Sequence, residues 1–516
     1  MRVMKFKAKN FRGFIDTGDI TQDPINLLVG KNSIGKSSYA RLFPLFWQGI
    51  GIKKRSPLIW NGTLVDYGEF NDVLSIYKNS EYIEFQFSII NPPSLAKAKS
   101  KSKSNLIKQS AINILNFGKI VVDIRIGYDT NHKVTYLASL DVSITNGCKF
   151  KYTFNPQNEI SSISYNGSEI ISPSDFEGYT LESRPNFIIP MHEYFMKDNE
   201  DVLYRAHPAT RMALFNFLKN KLHGRFGNEK IHDICNTLNV IGTPDRVTTY
   251  YEKLPLDFSS WHNFKLLAQE DDEIKQDFIK LINISSSLGL LRDIDHCLEL
   301  FFSNVTYINP LRASAERYYR KQDLSIDNID SRGANLPFFL NSLPINELKN
   351  LNEWLNKNLD IEVLIMSTDG HVMINLKDNA TGRINNIADM GFGFSQVLPL
   401  AVQAWISKNS KSKSANQSKQ ILVWEQPELH LHPAMQRRLA NLIANTVKDN
   451  NISFYIETHS TSIINELGSL ILDGDLEEDD IRVLLFQQED EGHTSVTKTA
   501  FDNEGTLQNF PLGFLS

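Results

Sequence analysis

The sequence INLLVGKNSIGKSSYARLF, residues 25–43, joins an apolar run to a glycine-containing loop and an apolar-faced segment. The apolar run predicts a buried strand, and the segment after the loop predicts a helix. The loop GKNSIGKSS, residues 30–38, fits the pattern G-x-x-x-x-G-K-[ST] at every fixed position. In such a unit, backbone N–H groups curl around phosphate oxygens at the positive end of the helix. The stretch therefore predicts an α/β fold built around a phosphate-binding loop.

The side chains of this loop are expected to have different roles in binding a nucleotide's phosphates. We expect Lys36 to supply a point charge for the terminal phosphates and the Ser37 hydroxyl to ligate Mg²⁺. The helix after the loop contains Pro44, which predicts a kink. The other loop residues that we expect to hold the ligand are Gly30, Lys31, Asn32, Ser33, Gly35 and Ser38.

The composition is that of an ordinary soluble protein: 516 residues, 41% hydrophobic, with a formal net charge of -6. No run of about 18 apolar residues is present, so we expect no membrane span. The N-terminus MRVMKFKAKNFRGF predicts a first strand rather than a signal peptide. Three widely spaced cysteines fit a reducing cytoplasm. The mild acidity argues against general coating of nucleic acid but leaves room for a local basic groove.

The pattern along the chain predicts three parts: residues 1–198, 199–304 and 305–516. Strand patterns separated by turn residues over 82–165 predict an antiparallel β subdomain, interrupted by a Lys/Ser loop at 95–105. Helical spacing over 199–304 predicts an inserted helical arm. The last part returns to α/β, with a helix INELKNLNEWLNKNL and a hairpin VLIMSTDGHVMINL that turns at Asp369-Gly370. A second Lys/Ser loop, SKNSKSKSANQSKQ, follows.

A second buried strand is predicted at ILVWE, and it ends in an acid, Glu425. We expect this carboxylate to reach the magnesium through a water. The next residue, where a second acid often activates water, is Gln426. An amide cannot act as a general base, although it can orient a water. Glu428 is either a substitute base or a solvated turn acid. These residues predict firm binding of a nucleotide and slow hydrolysis.

Histidines follow this strand and the next. His430 and His432 alternate at a strand end and therefore point to opposite faces, which argues against a metal site. The strand SFYIET runs into His459, which at this position can sense a terminal phosphate or polarise the attacking water. A satisfied loop histidine is the other interpretation.

The sequence MGFGFSQVLPLAVQAW, residues 390–405, predicts a glycine-containing turn that opens into a helix. Ser395 and Gln396 lie near its start, where free N–H groups can bind an anion. Since the chain already has its phosphate loop, a second anion site makes sense if it caps the nucleotide of another copy. A helix start without a ligand is the other interpretation.

Together these motifs resemble the ABC-type ATPases of the RecF, SMC and OLD group. The resemblance rests on an ordered set that spans most of the chain. Its members are NFRGF, GKNSIGKSS, LIWNGTLVDYGEFNDVL, YINPLRASAERYY, GFGFSQVLPL, EQPELHLHP, ETHS and the tail EGTLQNFPLGFLS. The resemblance implies an α/β ABC-type ATPase head with an antiparallel β subdomain and an inserted helical arm. It also implies ATP and Mg²⁺ as cofactors.

The resemblance assigns roles to individual residues. Arg12 lies near the nucleotide, Ser395 with Gly391 and Gly393 contacts the partner's terminal phosphate, Glu425 is the Walker B acid, and His459 is the switch histidine. The segment LHLHPAMQ takes the place of the D-loop, which accounts for both histidines without a metal. The resemblance implies a homodimer in which two heads close head-to-tail on two ATP molecules. The Q-loop glutamine has no clear match.

Two functions follow from the resemblance. OLD-type proteins carry a C-terminal TOPRIM nuclease, but this chain ends 57 residues after His459, so we expect no nuclease within it. That favours the Septu arrangement of anti-phage defence, sometimes linked to a retron, in which an ATPase controls a separate HNH nuclease. The alternative is a DNA-binding ATPase clamp that acts in DNA repair or maintenance, and the expected nucleic-acid partner is DNA or a DNA/RNA hybrid. The segment RASAERYYRK, residues 312–321, suits backbone contacts and stacking, or forms a structural loop.

Overall fold

The computed structural model describes residues 1–78, 80–90, 113–114, 119–145, 148–176, 179–184, 187–197, 203–205, 209–222, 227–256, 258–322, 326–368, 370–409, 419–448 and 451–508. The Lys/Ser tract at 95–105 and Asp369 lie outside these residues. So do most of the second Lys/Ser tract and the end of the tail.

The first part of the chain is rich in strands, as predicted. Its elements up to residue 90 are β1 (Arg2–Phe11), β2 (Phe14–Asp16), β3 (Ile20–Thr21), β4 (Ile25–Gly30), α1 (Lys36–Ala40), α2 (Leu42–Trp47), α3 (Phe70–Val73) and β5 (Ile83–Ile90). They are followed by β6 (Asn113–Ile114), β7 (Ile120–Asp129), β8 (Val134–Ile144), β9 (Lys149–Phe154), β10 (Ile160–Tyr165), β11 (Ser168–Ile171), β12 (Tyr179–Arg184), β13 (Met191–Lys197) and β14 (Leu203–Arg205).

The middle of the chain is mainly helical. Its elements are α4 (Ala209–Lys221), α5 (Asn228–Thr237), β15 (Val240–Ile241), α6 (Pro244–Glu252), α7 (Ser259–Glu270) and α8 (Asp272–Phe302). Two short strands, β14 and β15, also lie between residues 199 and 304, where the sequence pattern predicted helices alone. Each is only two or three residues long and pairs with a strand outside the helical middle, so its pairing depends on distant residues.

The last part returns to alternating helices and strands. Its elements are β16 (Val305–Ile308), β17 (Tyr319–Arg320), α9 (Leu336–Ser342), α10 (Ile345–Leu359), β18 (Ile361–Thr368), β19 (His371–Asp378), β20 (Ile384–Asn386), α11 (Phe392–Asn409), β21 (Gln420–Glu425), α12 (Pro433–Val447), β22 (Ile452–Glu457), α13 (Thr461–Leu472), β23 (Ile481–Gln488) and β24 (Thr494–Thr499). The predicted helix α10 and the predicted hairpin of β18 and β19 are both present.

A central sheet positions the phosphate loop. Its strand order is β16-β21-β22-β4-β23-β24, parallel except for the last pair. Every residue of β4 is buried, because apolar clusters cover both faces of the sheet. Parallel strands buried on both faces have nearly continuous apolar sequences, as INLLVG and ILVW do. The carboxyl ends of β4, β21 and β22 therefore meet at one edge, where α/β sheets bind ligands.

A second sheet is antiparallel and contains the predicted β subdomain. Its order is β11-β10-β9-β8-β7-β5-β1-β2, with β3 also paired to β1. The long helix α8 packs against it, and the ring of Phe302 meets that of Phe6 on β1 edge-on, with centroids 5.7 Å apart. The α/β fold class with an antiparallel β subdomain and inserted helices is thus confirmed. No described helix is long and apolar enough to cross a membrane.

The helix after the phosphate loop is interrupted rather than kinked. It stops at Ala40 and resumes at Leu42, so that Arg41 stands between α1 and α2. The cause is Pro44, since a proline lacks an N–H and its ring clashes with the carbonyl four residues earlier, that of Ala40. The predicted effect of Pro44 therefore occurs one turn before the proline.

Candidate functional site

The phosphate loop joins β4 to α1 and depends on two glycines. A Cβ on Gly30 would lie 2.9 Å from the carbonyl oxygen of Phe486 on β23. Gly35, the N-cap of α1, has a φ of 102°, which favours glycine. These two positions allow the loop to turn tightly against β23 with its N–H groups free for an anion.

Lys36 lies inside the loop. Its side chain is buried, and Nζ donates hydrogen bonds to the carbonyl oxygens of Gly30 at 2.9 Å and Lys31 at 2.7 Å. Burial lowers the pKa of Lys36, while the charges of Glu457 and Glu428 partly oppose that effect. The ammonium group is thus held at the base of the loop by backbone carbonyls.

An open cleft of about 1330 Å³ lies in front of the loop. It brings together nine of the residues that the sequence predicted for the site: Arg12, Lys31, Asn32, Ser33, Gly35, Lys36, Ser37, Ser38 and Gln426. The guanidinium of Arg12 lies 4.9 Å from the ring centroid of Tyr67. The cleft is also lined by residues of β23, β24 and the turn between them, which the sequence did not indicate: Phe486, Gln487, Gln488, Glu489, Gly492 and Thr494.

Glu425 lies at the end of β21, as predicted, but its carboxylate has other partners. Arg41 donates from Nε to Oε1 at 2.7 Å and from Nη2 to Oε2 at 2.6 Å. The hydroxyl of Tyr307 also donates to Oε1, at 2.7 Å. A carboxylate that is 1% exposed needs a counter-charge, and Arg41 provides it. Burial lowers the pKa of Arg41, but the hydrogen bonds and charge of Glu425 outweigh burial and raise it.

Glu457 is the acid that the sequence interpretation missed. It ends β22, which lies between β21 and β4, and it pairs in register with Glu425 on one side and Leu28 on the other. Burial, and then the charge of Glu425, raise the pKa of Glu457 to about 7, although a hydrogen bond with Ser37 opposes them. Glu457 lines the cleft, and its Oε2 is buried without a hydrogen-bond partner. The sequence signal for Glu457 is the acid of ETHS, a motif in which only His459 was assigned a role.

The turn after β21 packs against the turn after β22. Gln426 has a φ of 42° and donates its backbone N–H to the carbonyl of Glu457 at 2.8 Å. The carboxylate of Glu428 accepts from the backbone N–H of His459 at 2.7 Å, and burial raises the pKa of Glu428. Glu428 is therefore not a solvated acid, and because its Oε2 is buried without a hydrogen-bond partner, its role as a substitute base stays a prediction.

His459 carries a free ring nitrogen. Its Nε2 is buried without a hydrogen-bond partner, and burial, followed by the charge of Lys36, lowers the pKa of His459. A neutral imidazole near Lys36 can donate to or accept from a polar ligand. This environment fits a switch role, which stays a prediction.

The helix start around Ser395 lies apart from the cleft of its own chain. Gly391 and Phe392 are exposed, whereas Ser395 is 6% and Gln396 1% exposed. The Ser395 hydroxyl donates to the carbonyl of Phe392 at 2.7 Å and accepts from Gln396 Nε2 at 3.3 Å. Gln396 therefore points into the protein, and Gly391 with Phe392 forms the open end of α11.

Both histidines of LHLHP have structural contacts. His432 is the N-cap of α12, where Nδ1 accepts from the N–H of Ala434 at 3.3 Å. The ring of His430 meets Phe392 edge-on, with centroids 4.8 Å apart, and so connects this turn to the start of α11.

Arg312 also links the start of α11 to the end of β21. Its guanidinium donates to the carbonyl of Gln396 at 3.3 Å and to the carbonyls of Glu425 at 3.4 Å and Gln426 at 3.2 Å. It is 5% exposed, and burial lowers its pKa to about 10. The first arginine of RASAERYYRK is thus structural. Other members are exposed: Arg317, Tyr318, Arg320 and Lys321.

The acids at this sheet edge fit a magnesium ion bound together with a phosphate ligand. Mg²⁺ takes one or two carboxylates, substrate phosphates and waters rather than a cage of protein ligands. Ser37 and Glu457 lie together in the cleft, with Glu425 beside them on the next strand. The unpartnered Oε2 of Glu457 is a donor that a cation would satisfy.

A family model described as an AAA ATPase domain matches residues 1–464. The chain belongs to this ATPase family. In this AAA ATPase domain the phosphate loop, Glu425, Glu457 and His459 all lie within the matched region.

Solved structures with similarity to this AAA ATPase domain include heads of Smc proteins. The Smc head of Pyrococcus furiosus, bound to the C-terminal domain of ScpA, is 13% identical, with 97% of this chain and 96% of that chain covered and a TM-score of 0.37. The SMC head of Thermotoga maritima is 9% identical, with 96% and 98% covered and a TM-score of 0.35. No curated protein matches the chain.

Proposed function

We propose that this chain binds Mg–ATP in the cleft and hydrolyses it slowly. The observation that carries the proposal is Gln426, which lines the cleft together with the phosphate loop. Its amide cannot accept a proton near neutral pH, so it positions a water without activating it. Glu428, the nearest substitute in sequence, accepts a hydrogen bond from the N–H of His459 and is not among the residues that line the cleft. ATP therefore stays bound for longer than in an enzyme with an acid at position 426.

Two copies close head-to-tail on two ATP molecules in this proposal, as in ABC-type ATPases. The support is the exposed start of α11, which presents Gly391 and Phe392 to solvent outside its own cleft. A helix start offers N–H groups and a positive end to an anion. His430 and Arg312 connect that start to the end of β21. A partner's phosphate that binds at the start of α11 would thus be able to shift the position of Gln426 through these contacts.

The slow ATPase controls a separate effector nuclease of the HNH type in anti-phage defence. This part of the proposal draws its support from the resemblance to the Septu arrangement and from slow turnover. A nucleotide that persists holds a dimer in one state long enough to restrain or license a partner enzyme.

The second candidate is an ATP-dependent clamp on DNA or on a DNA/RNA hybrid. The exposed segment from Arg317 to Lys321 favours it, because two arginines, a lysine and Tyr318 suit phosphate contacts and base stacking. Arg317 already pairs with Asp389 at 2.5 Å, so its charge is only partly available for a phosphate.

A subunit-mixing experiment tests the composite site. Lys36→Ala removes the phosphate contact of the loop, and Ser395→Arg fills the start of α11. Each variant alone is expected to lack ATPase activity, while the mixture regains activity because one composite site per dimer keeps both wild-type halves. A mixture as inactive as either variant contradicts the two-copy arrangement.

Co-purification separates the two biological roles. The full chain is expressed with its neighbouring genes, and the purified complex is assayed for stoichiometric partners and for DNA binding at 50 and 200 mM salt. A stoichiometric nuclease supports effector control. Salt-sensitive DNA binding without any partner supports the clamp instead, since phosphate contacts weaken steeply over this range.

A further inference from the structure

The position of β22 places Glu457 nearer to the phosphate loop than Glu425. The strand order β21-β22-β4 puts β22 directly beside the loop strand and β21 one strand further away. Neighbouring strands are about 4.8 Å apart, so the end of β21 lies about 10 Å from the end of β4 across the sheet. Glu457 lines the same cleft as Ser37, the residue whose hydroxyl is expected at the metal.

The two acids also differ in how their oxygens are used. Both oxygens of Glu425 accept hydrogen bonds from Arg41, and Tyr307 adds a third bond. Glu457 has a buried Oε2 with no partner, and it lines the cleft. A buried carboxylate oxygen without a partner is costly, and the cost is removed when a cation enters the site.

We propose that Glu457, together with Ser37, is the protein ligand of the Mg²⁺ that accompanies ATP, and that Glu425 serves as the counter-ion of Arg41. The assignment rests on the proposed binding of Mg–ATP in this cleft. Mg²⁺ needs only one or two protein carboxylates when phosphates fill its other positions.

Using Glu425 instead would require the ion pair with Arg41 to open. Opening would leave Arg41 and its charge close to an incoming cation, and it would take the counter-charge away from the buried carboxylate of Glu425. Binding through Glu457 leaves that pair intact and gives Oε2 a partner. The Nζ of Lys36 is held by the carbonyl oxygens of Gly30 and Lys31, from where we expect its charge to reach the phosphates.

The test measures metal binding rather than turnover. Mn²⁺ replaces Mg²⁺ as the probe, and its affinity for the full-length protein with a non-hydrolysable ATP analogue is determined by electron paramagnetic resonance. In parallel, the analogue's own affinity is measured in EDTA. Glu457→Gln is expected to lower the Mn²⁺ affinity at least about tenfold, since even outer-shell substitutions cost 10–100-fold. Its analogue affinity in EDTA is expected to stay near that of the wild type.

Two further variants complete the design. Glu425→Gln is expected to keep Mn²⁺ affinity within about threefold while lowering the resistance to urea, because Arg41 loses its partner. Glu362→Gln, a surface acid paired with Lys377, is the control and is expected to change neither. Should Glu457→Gln fail to fold, Glu457→Asp keeps the charge on a shorter side chain and is expected to bind Mn²⁺ more weakly than the wild type.

Wild-type Mn²⁺ affinity in a folded Glu457 variant overturns the assignment, and so does a tenfold loss in Glu425→Gln alone. A wild-type protein that fails to bind the analogue in EDTA and in Mn²⁺ defeats the proposed function itself. The two failures are distinct, because the first leaves nucleotide binding intact.

Discussion

Arg41 and Glu425 form a two-pronged ion pair, with N–O distances of 2.7 and 2.6 Å, although 384 residues separate them in the sequence. Arg41 occupies the break between α1 and α2, directly after the phosphate loop, and Glu425 ends β21. The pair therefore joins the two ATPase motifs of the chain by a direct bond. Any movement of the phosphate loop on binding a ligand acts on Glu425 through it.

Removing Arg41 should destabilise the protein strongly. Arg41→Ala leaves a carboxylate that is 1% exposed with only the Tyr307 hydroxyl as partner, so a loss of about 3–5 kcal/mol is expected in urea unfolding. Arg317→Ala is the matched control, because its pair with Asp389 is exposed and should contribute no more than about 1 kcal/mol. Similar losses in both variants would show that burial of Glu425 does not matter.

Gln426→Glu should accelerate hydrolysis. The new carboxylate would stand at the cleft, where it can take a proton from water, and general-base catalysis contributes roughly 10²–10⁴-fold. Single-turnover measurements of ATP hydrolysis check this without interference from product release. Gln426→Asn, which shortens the side chain without adding charge, is the control and should not accelerate the reaction. An unchanged rate in Gln426→Glu would indicate that Glu428 or His459 already supplies the function.

Asp295→Ala should destabilise the protein at the junction between α8 and the N-terminal part. The Asp295 carboxylate accepts from the backbone N–H groups of Phe187, Ile188 and Ile189 at 2.8, 2.7 and 2.8 Å. Its removal leaves three buried donors without a partner, at about 1–3 kcal/mol each if none finds water. Urea unfolding measures the loss.

The control for this prediction is Asp277→Ala on the exposed face of the same helix, which should cost less than about 0.5 kcal/mol. A small loss in both variants would mean that water replaces the carboxylate at the junction.

Lys54 should make the free energy of unfolding increase with pH in the alkaline range. Burial lowers the pKa of Lys54 to about 8, although Asp295 and Glu299 oppose it, and its Nζ has no hydrogen-bond partner. Between pH 8 and 10.5 the unfolded chain binds more protons at this residue than the folded one, so stability rises with pH there. The gain is at most about 3 kcal/mol. Below pH 8 both states are charged, and the contribution is constant.

Lys54→Met keeps the apolar stem and removes the titration. The unfolding free energy of the wild type minus that of the variant should therefore increase between pH 8 and 9.5, because only the wild type gains stability there. It should stay constant between pH 6 and 7.5. Parallel curves over the whole range would contradict a lowered pKa at Lys54.

The sequence by itself determined the elements whose signals are local. The phosphate loop, the hairpin of β18 and β19 and helix α10 follow from glycine positions and apolar periodicity over a few residues. Nine predicted residues of the cleft lie together for the same reason, since most belong to one strand–loop–helix unit. Such features depend on backbone sterics and local burial, which neighbouring residues specify.

Only the tertiary structure decided which groups each buried acid contacts. Nothing near Glu425 in sequence indicates Arg41, and nothing near Asp295 indicates the N–H groups of residues 187–189. Glu457 acquires its position beside Ser37 only because β22 inserts between β21 and β4. A buried carboxylate takes its properties from the few groups within about 4–6 Å, and folding chooses those groups from anywhere along the chain.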